Sequence, residues 1–297
     1  MDQSITDILQ TIDDAVNTFQ DKVPGLQHQM FDDLQPLLKD LQTQNGKLLN
    51  NVANLKLLGT LKNKLQKIII TPGYKDAVQQ FIDSYNTLAT LNISYFRQFN
   101  QEFTPVQTLP YIKQLAIEST INDLLGQGLN VNVVTPVTSI LNTNITSGGS
   151  YASMQNQLRD YVINNEKGDG SLLKYTNQIT TDAISQYNSQ YIDAIAQDLN
   201  FNWYRYVGSL LTTSREFCVY LTKKDFIHKS ELPEIIKGHI DGHDCKLSKT
   251  TGLPLGMKPG TNADNFKILR GGYECKHHLF PVSDSAVPEL ILSKFAK

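Results

Sequence analysis

Long apolar runs are missing from this 297-residue chain; Ile68-Ile69-Ile70 and Val133-Val134 are typical of the longest. A membrane-spanning helix needs roughly 20 predominantly apolar residues, so no span is expected. Cysteine is scarce, at three residues. That excludes the dense disulfide framework of small secreted domains and makes a reducing compartment the simpler setting. An excess of one charge is lacking too: 27 basic and 29 acidic residues leave a formal net charge of −2. No global field therefore selects nucleic acid or an anionic membrane. The opening Met1-Asp2-Gln3-Ser4 has no basic n-region, so a signal peptide is not expected. Within the first two hundred residues, Gly-rich phosphate loops, His-x-x-x-His pairs and nucleophile elbows are absent, and the expectation is a protein that is not an enzyme.

What is present is unevenly distributed. Of 22 Gln and 23 Asn, all but Asn262 and Asn265 precede Trp203. All three Cys and five of the six His lie between Cys218 and His278. Residues 1–202 carry 13 basic and 19 acidic side chains, whereas residues 203–297 carry 14 and 10. These three changes coincide near Phe201–Trp203. The fold class expected is mainly α: a long N-terminal helical region followed by a small α+β C-terminal Cys/His module. The boundaries read as a helical assembly region at 1–146, a helical connector at 147–202 and a compact module at 203–297. The mild basic excess of the last piece suits a solvated surface as well as a nucleic-acid footprint.

Ile5, Leu9, Ile12, Val16, Phe19 and Val23 are spaced as a helical stripe. Ser4 with Asp7 reads as its N-cap, and Pro24-Gly25 as its interruption. A second stripe runs Leu26 to Leu41, with Pro36 as a kink or helix start. Asn45-Gly46 is a turn, and Leu48 to Ile68 form a third stripe ended by Thr71-Pro72-Gly73. A fourth helix starts near Ala77. Beyond Thr104, Pro105, Pro110, Gly126, Gly128 and Pro136 predict short helices. A helix around Met154 to Val162 follows the Ser147 to Ser150 turn. After the Lys167 to Gly170 turn, Leu172 to Leu199 reads as one long helix with Leu173, Ile179, Ala183, Tyr187, Tyr191, Ala194 and Leu199 near one side. Such stripes serve either an internal bundle core or contacts with other subunits, and uncharged amides suit the latter because their desolvation costs less than that of ions.

In the last 95 residues, Trp203 to Val207, Phe266 to Leu269 and Leu279 to Val282 read as strands. Thr212-Thr213-Ser214 caps a helix carrying Arg215, Phe217 and Cys218, and Ser230 caps another ended by Gly238. Residues 241–265 read as loop. Cys218, Cys245, Cys275 and His277 form a candidate ligand set for structural zinc, with His243 and His278 as alternative ligands. Thiolate and imidazole are the groups zinc prefers. No Cys-x-x-Cys spacing is present. A packed module with free thiols and a Cys218–Cys275 disulfide therefore stay open beside zinc.

The segments Tyr204-Arg205-Tyr206-Val207-Gly208, Thr213-Ser214-Arg215-Glu216-Phe217-Cys218, Gly271-Gly272-Tyr273-Glu274-Cys275-Lys276-His277 and Phe280-Pro281-Val282-Ser283 together resemble the C-terminal part of bacteriophage minor head proteins, the head-morphogenesis family of the Mu F type. The resemblance spans about 147–283 and leaves 1–140 uncovered. Within it, Arg215, Gly271 and Gly272 are structural motif positions. The chain departs from many members in two places. Tyr175-Thr176-Asn177-Gln178 stands where they carry Arg-Thr-Glu, and one Cys followed by His277-His278 stands where they end with two Cys. The resemblance implies a virion structural protein acting in head assembly or genome delivery near the portal, in several copies per virion. Portal, capsid or scaffold proteins and packaged DNA would be its partners, a membrane would not, and it would be found in the virion and, during assembly, in the host cytoplasm. The alternatives are another virion component (tail, connector or ejected internal protein) and a Cys/His nucleic-acid-binding module.

Overall fold

A computed structural model of the chain describes residues 3–165, 168–270 and 272–295. The architecture is mainly α, with long helices first and a small strand-containing region last. In chain order the main elements are α1 (Gln3–Gln20), α2 (Val23–Leu38), α3 (Val52–Ile69), α4 (Pro72–Arg97), α5 (Leu109–Leu125), α6 (Thr135–Thr146), α7 (Tyr151–Val162), α8 (Ser171–Asp198), β1 (Trp203–Val207), α9 (Glu216–Lys224), β2 (Phe226–His228) and β3 (His278–Val282). No helix among the described residues is long and apolar enough to cross a membrane.

The chain divides into two compact units built from separated stretches. One comprises Met1–Asp13, Ser84–Ala116 and Thr181–Lys297; the other comprises Asp14–Asp83 and Ile117–Thr180.

The second unit is a bundle in which α3 packs on α2 and α6, and α7 on α2 and α6. Phe19 stands edge-on to Tyr74 and Phe81, with centroids 6.1 and 5.8 Å away, and the Tyr74 hydroxyl donates to the Leu124 carbonyl at 3.0 Å. Asn45 and Gly46, both at positive φ (51° and 74°), close a two-residue hairpin between Thr43–Gln44 and Lys47–Leu48, as Asn-Gly pairs favour. Asn51 caps α3 by accepting from Asn54 N at 3.0 Å, and Ser150 caps α7. Several amides work internally. Buried Asn54 donates to the carbonyls of Gln42 and Leu49 at 3.0 and 2.7 Å, and buried Gln27 donates to the Ile163 carbonyl at 2.7 Å.

The first unit holds the sheet. Its strand order is β2-β1-β3, all antiparallel, with Tyr204 opposite Ile227 and Pro281, and Tyr206 opposite Leu279. Side chains alternate between faces along a strand. Tyr204, Tyr206, Ile227 and Leu279 therefore share one face, which packs with Phe217, Cys218 and Leu221 of α9. Trp203 and Val282 lie on the other, clustered with Val287. On that second face Phe280 meets Tyr95 of α4 edge-on at 5.9 Å, while the Tyr95 hydroxyl donates to the Pro281 carbonyl at 2.7 Å. Arg205 grips Asp225 with two parallel hydrogen bonds of 2.9 and 3.0 Å.

Several sequence expectations need correction. Phe266–Leu269 is a single helical turn, not a strand. Its Asn265 side chain accepts from Asn262 N and the Asn262 side chain from Asp264 N, turn chemistry that competes with extended structure. Leu109–Leu125 is one 17-residue helix, because Pro110 falls in its first turn, where a missing N–H costs nothing. The break after α1 falls at Asp21–Lys22, and Pro24 sits in the first turn of α2. Ser4 lies within α1. Arg215 occupies the N-cap position of α9, and His228 that of the turn before Leu232–Ile236. In α8 the buried positions run through Leu172, Thr176 and Thr180 and on to Ile184, while Leu173 and Ile179 are half-buried. Thr176 and Thr180 hydrogen-bond the carbonyls four residues back at 2.8 Å, which satisfies their hydroxyls in the interior. The Lys167 turn falls outside the described residues in part.

Candidate metal centre

The sheet, α9 and the loop after the Phe266–Leu269 turn bring three ligand groups together. Cys218 comes from the first turn of α9, and Phe217 and Leu221 anchor the same helix in the core. Cys275 and His277 come from the segment that leads into β3. The ligand atoms of Cys218, Cys275 and His277 all lie within 4.8 Å of one another, and all three residues are buried. This cluster can hold a metal ion. All three cysteines are free thiols. Cys245, His243 and His278 lie outside the cluster. Cys245 is buried elsewhere in the same core, and burial, with Glu216 and Asp244 nearby, pushes its thiol up to about 11. His243 stacks on Tyr220, centroids 4.5 Å apart. His278 turns Nδ1 towards Arg270 at 3.1 Å; burial, then Arg270, keeps its imidazole neutral by pushing its pKa well down.

Hydrogen bonds order the cluster. The Tyr206 hydroxyl donates to Cys218 Sγ at 3.3 Å, and the Tyr206 ring stacks on His277 at 5.3 Å and 15°. The hydrogen bond from the Cys218 thiol holds Cys275 far below the ordinary thiol range, at about 3, against its burial and with help from His277 and Arg270. Cys218 moves the opposite way, through that shared proton and its own burial. The shared proton thus favours the charged form at Cys275 over that at Cys218. Arg270 lies 1% exposed beside them. Its hydrogen-bond contacts are the His277 carbonyl at 3.3 Å and the His278 ring, both neutral.

The loop's path depends on close backbone approaches. A Cβ on Gly208 would lie 2.8 Å from His277 Cα, and one on Gly272 (φ +101°) would run into the Gly256 carbonyl. Gly271 lies outside the described residues. Arg215 crosses to the Tyr273 carbonyl at 2.8 Å. Gly272→Ala combines a positive φ with overpacking against backbone, and is expected to destabilise the chain by roughly 3 kcal/mol. Denaturant midpoints with unchanged slope would check it.

Two buried acids of α8, only the first of them bonded to the loop, escape motif reading. Asp182 of α8 accepts Glu274 N at 2.8 Å through Oδ1 and pairs with Lys258 at 3.0 Å through Oδ2. Asp193 pairs with Lys267 at 2.6 Å. They are the only charged residues between Tyr175 and Gln197, and isolated acids in an otherwise uncharged helix were the available signal. Arg270 carried no signal beyond standing before two glycines.

Cys218, Cys275, His277, Ser214, Arg215 and Glu274 are among the residues that line a cleft of about 280 Å³. No protein-family model matches the chain, and no curated protein or solved structure matches it either.

Proposed function

We propose that the chain is a structural component of a bacteriophage particle, of the minor head type, acting near the portal in head assembly or genome delivery, and that Cys218, Cys275 and His277 hold a structural zinc ion. One observation carries the reading. The segments with the minor-head resemblance fall in two stretches, 204–218 and 271–283, separated by residues 219–270, yet they meet in one module. Tyr204–Gly208 follows the central strand, Thr213–Cys218 enters α9, Gly272–His277 forms the ligand loop and Phe280–Ser283 follows β3. A resemblance made of unrelated fragments has no reason to converge on one cluster. The fit to zinc is geometric. Zn–S of about 2.3 Å and Zn–N of about 2.0–2.1 Å at a tetrahedral angle put sulfur and nitrogen about 3.6 Å apart. Cys275 Sγ and His277 Nδ1 are 3.6 Å apart. In this reading the module is a rigid fastening that performs no turnover.

The test is quantitative mass spectrometry and cross-linking of particles purified from cells that encode the chain. The expected result is a few copies per particle, far fewer than the major capsid subunit, with cross-links to the portal. Absence from particles and from assembly intermediates would reject the proposal. Cross-links confined to tail proteins would replace it with a tail role.

A further inference from the structure

We infer that the Cys218–Cys275–His277 centre is an open metal site whose fourth position faces the cleft and takes an exchangeable carboxylate. The inference rests on the zinc reading above and extends it from a closed structural site to one that binds a ligand. Zinc sites closed by protein use four ligands, whereas sites with three keep a position for water or an incoming group. Among the described residues, the ligand cluster contains three groups and no fourth His, Cys, Asp or Glu. All three ligand residues border the cleft, so the unfilled side of the tetrahedron is the side that solvent and small molecules reach. His277 is 4% exposed, and its Nε2 is buried without a hydrogen-bond partner among the described residues.

The charge of the site selects the ligand class. Two thiolates neutralise a divalent ion and so no longer balance the buried Arg270 guanidinium, whose hydrogen bonds among the described residues go to the His277 carbonyl and the His278 ring and whose carboxylate neighbour Asp182 is already paired with Lys258. A buried positive charge calls for a compensating negative one. Arg215 and Lys276 add positive charge to the cleft lining and Glu274 adds one negative, and Lys276 is partly engaged by Asp13 at 3.7 Å. An anionic oxygen ligand completes both the coordination and the charge. At about 280 Å³ the cleft is at or below the small end of ligand pockets, which suits a small carboxylate or one acidic side chain.

Cobalt(II) loaded into the full chain reads both layers separately. Thiolate-to-cobalt charge-transfer bands in the near ultraviolet, with intense tetrahedral bands in the visible, are expected from the loaded protein. Acetate is then expected to shift the visible bands saturably while the charge-transfer bands persist, and the neutral analogue acetamide is expected to leave both unchanged. A short oligoglutamate peptide distinguishes the source. A shift with acetate alone assigns a free small carboxylate, and a shift with both assigns an acidic side chain as well. Visible bands that stay fixed at saturating acetate would overturn the open site and mean that the chain supplies its own fourth ligand. An equal response to acetamide would overturn the anionic class. Absence of thiolate-to-cobalt bands would remove the zinc reading itself, and the open site with it.

Discussion

Asp182→Ala is expected to destabilise the protein by about 3–5 kcal/mol, the range for removing one partner of a buried ion pair. The pair is enclosed: the Asp182 and Lys258 side chains are 11% and 12% exposed at 3.0 Å. The substitution strands the Lys258 ammonium over the Tyr273 ring, 4.7 Å from its centroid, and leaves Glu274 N without its 2.8 Å acceptor. Glu274 sits at φ +53°, a conformation costly for a residue with a side chain unless its surroundings enforce it. The next residue is Cys275. Asp182→Ala is therefore expected to weaken metal binding by 10–100-fold as well, the usual effect of losing an outer-shell support. Asp193→Ala breaks a comparable pair with Lys267 that does not touch the Cys275 loop. It should cost similar stability and leave metal affinity within a few-fold. Chemical denaturation and competitive zinc titration on the two variants separate these effects. Equal losses of affinity in both would mean that the acids act only on overall stability.

The elements with the strongest periodic or turn signals were legible in the sequence. Trp203–Val207 has the bounds its aromatic and β-branched residues suggested, and the long helix at 171–198 differs from its reading by one residue at each end. The turn at Asn45-Gly46 followed from turn chemistry, though not the two short strands it joins. What failed was burial on polar positions. The α1 stripe uses Ile8 where the spacing pointed to Leu9. In α3, Asn54 takes a buried position while Val52 and Leu55 are exposed, because the Asn54 amide closes the preceding hairpin. Hydrophobic spacing cannot see a buried amide or threonine that satisfies itself locally. The amides assigned to outward contacts are in part internal glue, as Asn92 and Asn188 also show, bonded to each other at 2.8 Å. For the site, residue type picked out Cys218, Cys275 and His277, and only the fold could separate them from Cys245, His243 and His278. Ligand chemistry was readable; the distances that choose among ligands were not.

The second large effect concerns the metal. A ligand that binds only the folded chain, at free concentrations a thousandfold above its dissociation constant, stabilises it by about 4 kcal/mol. For a chain of this size that corresponds to a melting shift of roughly 6 °C. Zinc cannot be bound through Cys275 once its sulfur is gone, so Cys275→Ser should show no such shift. The same replacement at Cys245, a core thiol outside the cluster, should retain it from a lower starting stability. The most direct test is elemental analysis of the purified full-length chain, paired with its melting temperature before and after chelation. The account predicts about one zinc per chain, lost with Cys275→Ser, and a melting temperature that falls by roughly 6 °C in chelator. A chain that purifies without metal, takes up none, and melts identically with and without chelator would contradict it.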